Sequence, residues 1–328
     1  MRRGRTVAPP EANQEQRPDG GAERSAAELA AGRLPLAAQE RIERLRSGSA
    51  FTSDLSTAAF AALQGVGLDP VGQVMGSCVW HLGRLTYTCG AVQATGLSGG
   101  QVSGVPATAR PVSSYQASLE RARKTALRRL RQECAALGGD GVVNVRLGWS
   151  RFAGVNRTHE FTATGTAVRA RSRVRPRVVF TTTLPGPDVA SLLRSGWTPC
   201  GVAYGISVAA RHDDWRTKTL TTGISRATVE VPGYTDLVGA VRAWSRRDFA
   251  AAAAGTGADG AILTGQELQV WKNEAGGGHT DHLAIATLVG TSVARVPQHS
   301  PRPGPGRSGP AVLSVLSLSP ESVTTRTP

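Results

Sequence analysis

Apolar residues in one long stretch of the chain recur at helical spacing. Between Ser113 and Leu137 they fall three or four positions apart, which places them on one face of a helix. Ser113 with Gln116 predicts a capping box at its start, and Gly138 predicts a left-handed stop at its end. The residues of this apolar stripe are Tyr115, Leu119, Ala122, Ala126, Leu130, Cys134 and Leu137.

Beyond the glycine stop, the pattern changes from helical spacing to alternation. Gly139-Asp140-Gly141 predicts a turn, and an extended strand with one apolar face follows it. Arg123 alone interrupts the apolar stripe of the helix, and we interpret it as a buried stem with a solvated or ion-paired charge. The residues that share the strand face are Val143, Val145, Leu147 and Trp149.

The same succession of elements occurs twice, which indicates an internal repeat. Phe51–Gly76 matches Phe180–Gly205 at a constant offset of 129 (180 − 51). The long helix and the two strands that follow match at offsets of 119 and 125, so the length differences fall in loops, where insertions are tolerated. Matched pairs at the three offsets are Leu63 with Leu192, Gly138 with Gly257, and Gly165 with Gly290.

This repeat divides the chain into two tandem domains between two tails. Residues 1–50 predict a flexible or weakly helical arm, because charges alternate there with Ala, Gly and Pro. Residues 51–172 and 173–296 form the two domains. Residues 297–328 hold seven prolines and predict a disordered tail, in which the apolar run AVLSVLSLS is a candidate docking segment.

Composition adds limits on partners and location. The net charge of the 328 residues is +14, but 35 of the 38 basic residues are Arg, so coding bias competes with nucleic-acid binding as an explanation. No apolar run approaches the ~20 residues that a membrane span needs, and no apolar segment of a secretory signal follows the basic N-terminus. We therefore predict a cytoplasmic protein whose four cysteines are free thiols.

Three motifs occur together. In chain order they are the strand PVGQVMGSCV, the helix, turn and strand ALRRLRQECAALGGDGVVNVR, and the strand GTAVR. In this combination the chain resembles the YbjQ-like domain family, which is described as putative heavy-metal-binding. The resemblance covers Phe51 to Arg171 well and Phe180 to Val296 more loosely. In the second copy, Ala261 to Gly265 replace the Val-Val-x-Val-Arg strand, which puts any arginine-dependent function of that copy in doubt.

The resemblance implies an α+β domain in which an antiparallel sheet packs on one long helix. It also implies a tendency to form ring-like homo-oligomers, and a fused pair of domains would replace one subunit contact of such a ring. It implies little chemistry beyond a metal-binding role.

Metal binding has one candidate pair. Cys78 and His81 have C-x-x-H spacing, and thiolate with imidazole suits zinc or copper. On a regular strand the two side chains project to opposite faces, so a shared ion requires a turn or bulge. A buried core cysteine is the alternative interpretation. The segments His279–His282 and His212–Asp214 are also candidates for a cation, but a hairpin loop and a turn explain them better.

Anion binding also has one candidate. Five arginines alternate along the link between the repeats, so an extended chain would place them on one side, where they could track phosphates. A solvated linker made basic by composition is the alternative, and no aromatic residues interleave to stack on bases. The five residues are Arg169, Arg171, Arg173, Arg175 and Arg177.

Catalytic motifs of the common kinds do not occur in the sequence. It has no phosphate loop, nucleophile elbow or H-E-x-x-H motif. His159 and Glu160 are adjacent, so on a strand they face opposite ways. We therefore predict a non-enzymatic binding or scaffold protein, with association to nucleic acid or an anionic surface as the alternative.

Overall fold

A computed structural model describes residues 20–48, 52–82, 108–155, 157–173, 175–221, 228–276, 279–296 and 316–317. Two sheets, each with a long helix, dominate this part of the chain, which confirms the predicted α+β class. The helices are α1 (Gly20–Ala30), α2 (Leu36–Arg46), α3 (Thr57–Gln64), α4 (Ser113–Ala136), α5 (Gly186–Arg194), α6 (Trp215–Thr221) and α7 (Pro232–Ala254). The strands are β1 (Leu68–His81), β2 (Arg110–Pro111), β3 (Gly141–Arg151), β4 (Thr158–Ala170), β5 (Phe180–Thr181), β6 (Trp197–His212), β7 (Gly260–Gly276), β8 (His279–Arg295) and β9 (Leu316–Ser317).

We call α3, β1, α4, β3 and β4 the first unit. Its central strand β4 lies antiparallel between β1 and β3. The register shifts between Pro70 and Gly72 on β1, and again between Val143 and Arg146 on β3, where Asn144 has a φ of 55°. Such bulges bend a strand and increase its local twist.

The second unit consists of α5, β6, α7, β7 and β8, and it has the same geometry. Its central strand β8 lies antiparallel between β6 and β7. The register shifts between Pro199 and Gly201, at the positions that the sequence offset of 129 matches to the β1 bulge. Glycines with matching positive φ values are Gly67 (78°) with Gly196 (77°) and Gly138 (72°) with Gly257 (71°).

The helix α4 lies between the two sheets. Its buried residue Leu130 belongs to a core cluster that includes Val74 of β1 as well as Ile206 and Leu283 of the second sheet. The helix α7 packs on the opposite face of that second sheet, where Leu237 contributes to a separate cluster. The molecule is therefore layered in the order sheet, helix, sheet, helix.

Short strands cross between the units. β2, just before α4, adds to the edge of β6 in the second sheet, and β5, just before α5, pairs in parallel with β3 in the first. The backbone N–H of Val112 also donates to the carbonyl of Val208 (2.9 Å), and that of Val145 to the carbonyl of Thr182 (2.9 Å). Each unit thus completes a sheet of the other.

The start of α4 differs from the predicted capping box. Val112 occupies the N-cap position with no side-chain hydrogen bond, because β2 fixes its backbone against β6. Gln116 donates instead to Asp248 on α7 (3.0 Å). The stop is as predicted, since Gly138 has a φ of 72°. No helix within the described ranges has both the length and the apolar character to cross a membrane.

The helices α1 and α2 dock against the first unit. Ile42 and Ala38 of α2 are buried in the same core cluster as α4. Arg41 forms an ion pair with Glu133, whose side chain is only 2% exposed. The other oxygen of Glu133 accepts a hydrogen bond from the backbone N–H of Met75 on β1 (2.9 Å). One buried carboxylate therefore holds α2, α4 and β1 together.

Candidate functional site

Cys78 and His81, the predicted metal pair, lie on β1. The Cys78 thiol is buried and donates a hydrogen bond to the carbonyl oxygen of Ala122 on α4 (3.3 Å). The Nδ1 atom of His81, which is exposed, lies 3.0 Å from the Thr158 hydroxyl. Residues three apart on a strand face opposite ways and are about 10 Å apart. This geometry does not fit an ion shared by the pair, and metal binding there stays a prediction.

The described cysteines, Cys78, Cys134 and Cys200, are free thiols, as predicted. Burial, together with the negative charge of Asp140, raises the pKa of the Cys134 thiol to about 12. Burial also raises the pKa of the other two thiols, so all three are protonated near neutral pH, whereas metals bind the thiolate. In the described ranges no three or more His, Cys, Asp or Glu side chains form a group that could hold a metal. Cys89 lies outside those ranges.

The arginine run after β4 is engaged within the molecule at three of its five positions. Arg169 donates to two carbonyl oxygens at the C-terminal end of α4 (2.7 and 2.9 Å). Arg171 forms an ion pair with Asp69 (2.5 Å), and Arg175 lies 3.7 Å from Asp140. The strand also ends one residue after Arg169, so the five cations do not lie along one extended strand. Nucleic-acid association therefore gains no support from this segment.

The two histidine segments of the second unit, predicted as a hairpin loop and a turn, are adjacent in the structure. Asp281 and His282 lie within β8, and His212 is the last residue of β6. His212 Nδ1 lies 2.7 Å from an Asp281 oxygen, and His282 Nδ1 lies 3.0 Å from an Asp213 oxygen. We call these four residues the His–Asp cluster. Its two pairs join the ends of β6 and β8.

Tyr234 and Arg211 extend the His–Asp cluster to neighbouring elements. The Tyr234 hydroxyl donates to Asp213 (3.1 Å), and its ring centroid lies 4.5 Å from that of His282. Burial and the Asp213 charge raise the pKa of Tyr234 to about 12, so the phenol keeps its proton. Arg211, only 4% exposed, pairs with Asp214 (3.4 Å). The cluster thus fixes the start of α7 to the sheet, a structural role.

A cleft of about 810 Å³ lies between the two units. The β3–β4 hairpin of the first unit forms one wall, and β7 forms the other, with Tyr115 at the start of α4. We call this cavity the inter-unit cleft. Its aromatic residues are Tyr115, Trp149, Phe152, His159 and Trp271. Its charged residues, Arg151 and Arg157, are both cationic.

Aromatic rings pair on each wall of the inter-unit cleft. Trp149 stacks on His159 with centroids 5.0 Å apart and planes 28° from parallel. The ring centroids of Tyr115 and Trp271 lie 6.5 Å apart. Burial lowers the pKa of His159, and the positive charge of Arg151 lowers it further. His159 is therefore neutral at physiological pH, while the arginines carry the positive charge of the cleft.

The fold and these residues define an α+β protein built on a known domain. Residues 107–171, which span α4, β3 and β4, match the family model YbjQ_1, described as "Putative heavy-metal-binding". This match confirms, for this part of the chain, the resemblance to the YbjQ-like family that the sequence predicted.

A curated relative gives a second comparison. The chain is 37% identical over 177 residues to encapsulin nanocompartment protein Rv1762c of Mycobacterium tuberculosis. The match covers 52% of this chain and 60% of that protein, so the chain spans less than two thirds of its relative's length.

The inter-unit cleft was absent from the sequence prediction. Trp149 was assigned to a strand face and Tyr115 to a helix stripe, and their separation in sequence hides their proximity. The signal that was available is an aromatic and basic hairpin, Trp149 to His159, in a chain with only 5% aromatic residues.

Proposed function

We propose that this chain is a non-enzymatic scaffold protein that binds other protein chains along the edge of β7. One observation carries the proposal. β7 is 17 residues long, but within the described residues its outer edge is paired only at Gly260 and Ala261, by β9. An unpaired strand edge is a template for strand addition by a partner.

The outer edge strand of the first sheet, β1, is covered by neighbouring groups. Its Gln73 N–H donates to the carbonyl of Thr52 (2.7 Å), and its Met75 N–H donates to Glu133. The carbonyl of Ser77 accepts a hydrogen bond from Arg129 on α4 (2.5 Å). Side chains and a loop therefore satisfy backbone groups of β1 that a partner strand would otherwise bind.

The residues of β7 suit strand addition. Leu263 to Glu267 are all exposed, and Val270 is 47% exposed. The strand contains no proline, so every residue carries a backbone N–H. The chain itself provides a precedent, because β5, just before the second unit, pairs with Gly141 and Val142, the positions matched to Gly260 and Ala261.

Polar faces at both ends of the layered stack favour edge pairing over further stacking. Leu127 of α4 is buried, but its match on α7 is the exposed Arg246. Ile206 is buried beneath α4, but its match on β1 is the half-buried Ser77. We infer that the two units are copies of one domain and that their outer layers are adapted to water, as in the terminal members of a repeat.

The similarity to an encapsulin nanocompartment protein supports the kind of assembly that we propose. We place this chain in the cytoplasm as a component of such a protein compartment, where a scaffold role requires partner binding rather than catalysis. Copies of the chain itself and a shell protein are the two partners to be tested.

The test measures the mass of the full chain in solution, alone and after co-expression with a protein that forms the shell of an encapsulin nanocompartment. The variants Leu263→Lys and Val270→Lys place charges on the β7 edge, and we expect each to weaken self-association or shell capture at least tenfold. Val79→Lys is the matched control, since Val79 is 50% exposed on the covered strand β1.

A monomer that is not captured by the shell would contradict the proposal. Equal weakening by Val79→Lys would also contradict it, because the effect would then follow from added charge rather than from the β7 edge.

A further inference from the structure

The inter-unit cleft has the dimensions of a small-molecule site. Its volume of about 810 Å³ lies in the range of roughly 300–1,000 Å³ that is typical of ligand pockets. It exists only where the β3–β4 hairpin meets β7, so its walls come from separate units. Such junctions are a common place for binding sites.

The charge of the cleft selects an anion. Arg151 and Arg157 line it, and no aspartate or glutamate occurs among its described lining residues. Arg157 adopts a φ of 58°, a left-handed conformation that is uncommon for residues other than glycine. Its carbonyl accepts a hydrogen bond from the Leu82 N–H (2.9 Å), which helps to hold this backbone in place. Guanidinium groups bind phosphate and carboxylate through paired hydrogen bonds.

The rings of the cleft select a planar partner. Trp149 is stacked with His159 on one wall, and Trp271 is paired with Tyr115 on the other. An aromatic face stacks favourably on another flat ring, as bases do on aromatic side chains in nucleic-acid complexes. The neutral state of His159 leaves its ring free of a charge that would resist burial beneath a ligand.

We propose that the inter-unit cleft binds a planar aromatic anion of mononucleotide size. The ring stacks on the aromatic wall that contains Trp149, and the anionic group pairs with Arg151 and Arg157. This proposal does not depend on the β7 edge, so a monomeric protein with an intact cleft satisfies it equally well.

The experiment titrates the full chain with AMP, GMP, UMP and FMN and follows heat and tryptophan fluorescence. We expect saturable binding of at least one of them. The same ring without its phosphate (adenosine for AMP) and ribose 5-phosphate should each bind at least tenfold more weakly. The double variant Arg151→Gln with Arg157→Gln should weaken binding at least tenfold, whereas Arg121→Gln on the exposed side of α4 should not. Arg121, Arg151 and Arg157 are all exposed, so the variants are expected to fold.

Three results would overturn the proposal. The first is no saturable binding of any of the four nucleotides at millimolar concentration. The second is equal binding of nucleotide and phosphate-free nucleoside, since the arginines would then have no role. The third is far tighter binding of a single-stranded oligonucleotide with a steep salt dependence, which would make the cleft part of a nucleic-acid interface instead.

Discussion

Glu133 shows how one residue can hold an arm of this protein in place. Its side chain is 2% exposed, and burial raises its pKa, while the hydrogen bonds from Arg41 and from the Met75 N–H oppose that rise. A folded-state pKa above the unfolded value means that the folded protein binds the proton more tightly. Stability is therefore lost as pH rises above about 4.5 through the folded pKa.

Replacing Arg41 by Met should destabilise the protein and increase this pH dependence. We expect the free energy of unfolding to fall by about 2–3 kcal/mol near neutral pH. This is less than the cost of leaving a fully buried charge without a partner, because the Arg41 side chain is 31% exposed. The loss should be smaller at pH 5 than at pH 7.5, because removal of Arg41 raises the pKa of Glu133 further and the carboxylate then takes up a proton more readily as pH falls. Urea unfolding at pH 5 and pH 7.5 measures both values.

Arg46→Met is the control for that measurement, because Arg46 is 62% exposed and its contact with Glu43 spans 3.9 Å. A change of less than about 1 kcal/mol is expected there. An equal effect of the two variants at both pH values would show that the ion pair with Glu133 does not anchor α2.

At the scale of elements, each long helix approaches its sheet so closely that a glycine is required. A Cβ atom at Gly76 of β1 would collide with the Ala126 carbonyl of α4. A Cβ at Gly205 of β6 would collide with the Ser245 carbonyl of α7 in the same way. The two glycines match at the offset of 129 (205 − 76), so both units use one packing solution.

Gly76→Ala should therefore destabilise the protein by about 3 kcal/mol, because the backbone of α4 has to move away from β1. Gly239→Ala is the matched control. Gly239 lies within α7, and a Cβ atom there would meet no neighbouring element within 4 Å, so alanine should stabilise by about 0.5–1 kcal/mol. Thermal unfolding of both variants measures the difference in sign, and two changes of the same sign would contradict the close-packing argument.

At the scale of the whole molecule, the units share a core and exchange strands. Leu130 of α4 lies in one cluster with Ile206 and Leu283 of the second sheet, and β2 and β5 each complete the sheet of the other unit. Unfolding one unit would expose apolar surface and unpaired strands of the other, so the two should unfold together.

We expect a single calorimetric transition whose calorimetric and van't Hoff enthalpies agree. Ile206→Ser places in the buried face of β6 the residue type found at the matched position 77. It should lower the free energy of unfolding by about 3–4 kcal/mol and shift the single transition as a whole to lower temperature. Two separate transitions, or an effect confined to one of them, would show that the units are energetically independent.

Local features of the fold were accessible from the sequence. The three- and four-residue spacing located the long helix, and Gly138 marked its end, because only a residue without a Cβ adopts that φ at little cost. The capping box at Ser113 was wrong because pairing of β2 with β6 fixed the preceding residue. Arg123 was expected to reach solvent or an ion pair. It is 6% exposed because the second sheet covers the side of α4 that a single domain would leave in water.

The sequence by itself determined the element types, their order, the matched offsets and the turn glycines, since these follow from residue spacing and backbone sterics within short segments. Only the tertiary structure decided which faces meet. It engaged Arg169, Arg171 and Arg175 in internal contacts, joined His212 to Asp281, and assembled the inter-unit cleft from residues over a hundred positions apart. Contacts of that range depend on how the layers stack, and the local pattern that specifies a helix or strand carries no information on its neighbour in the next layer.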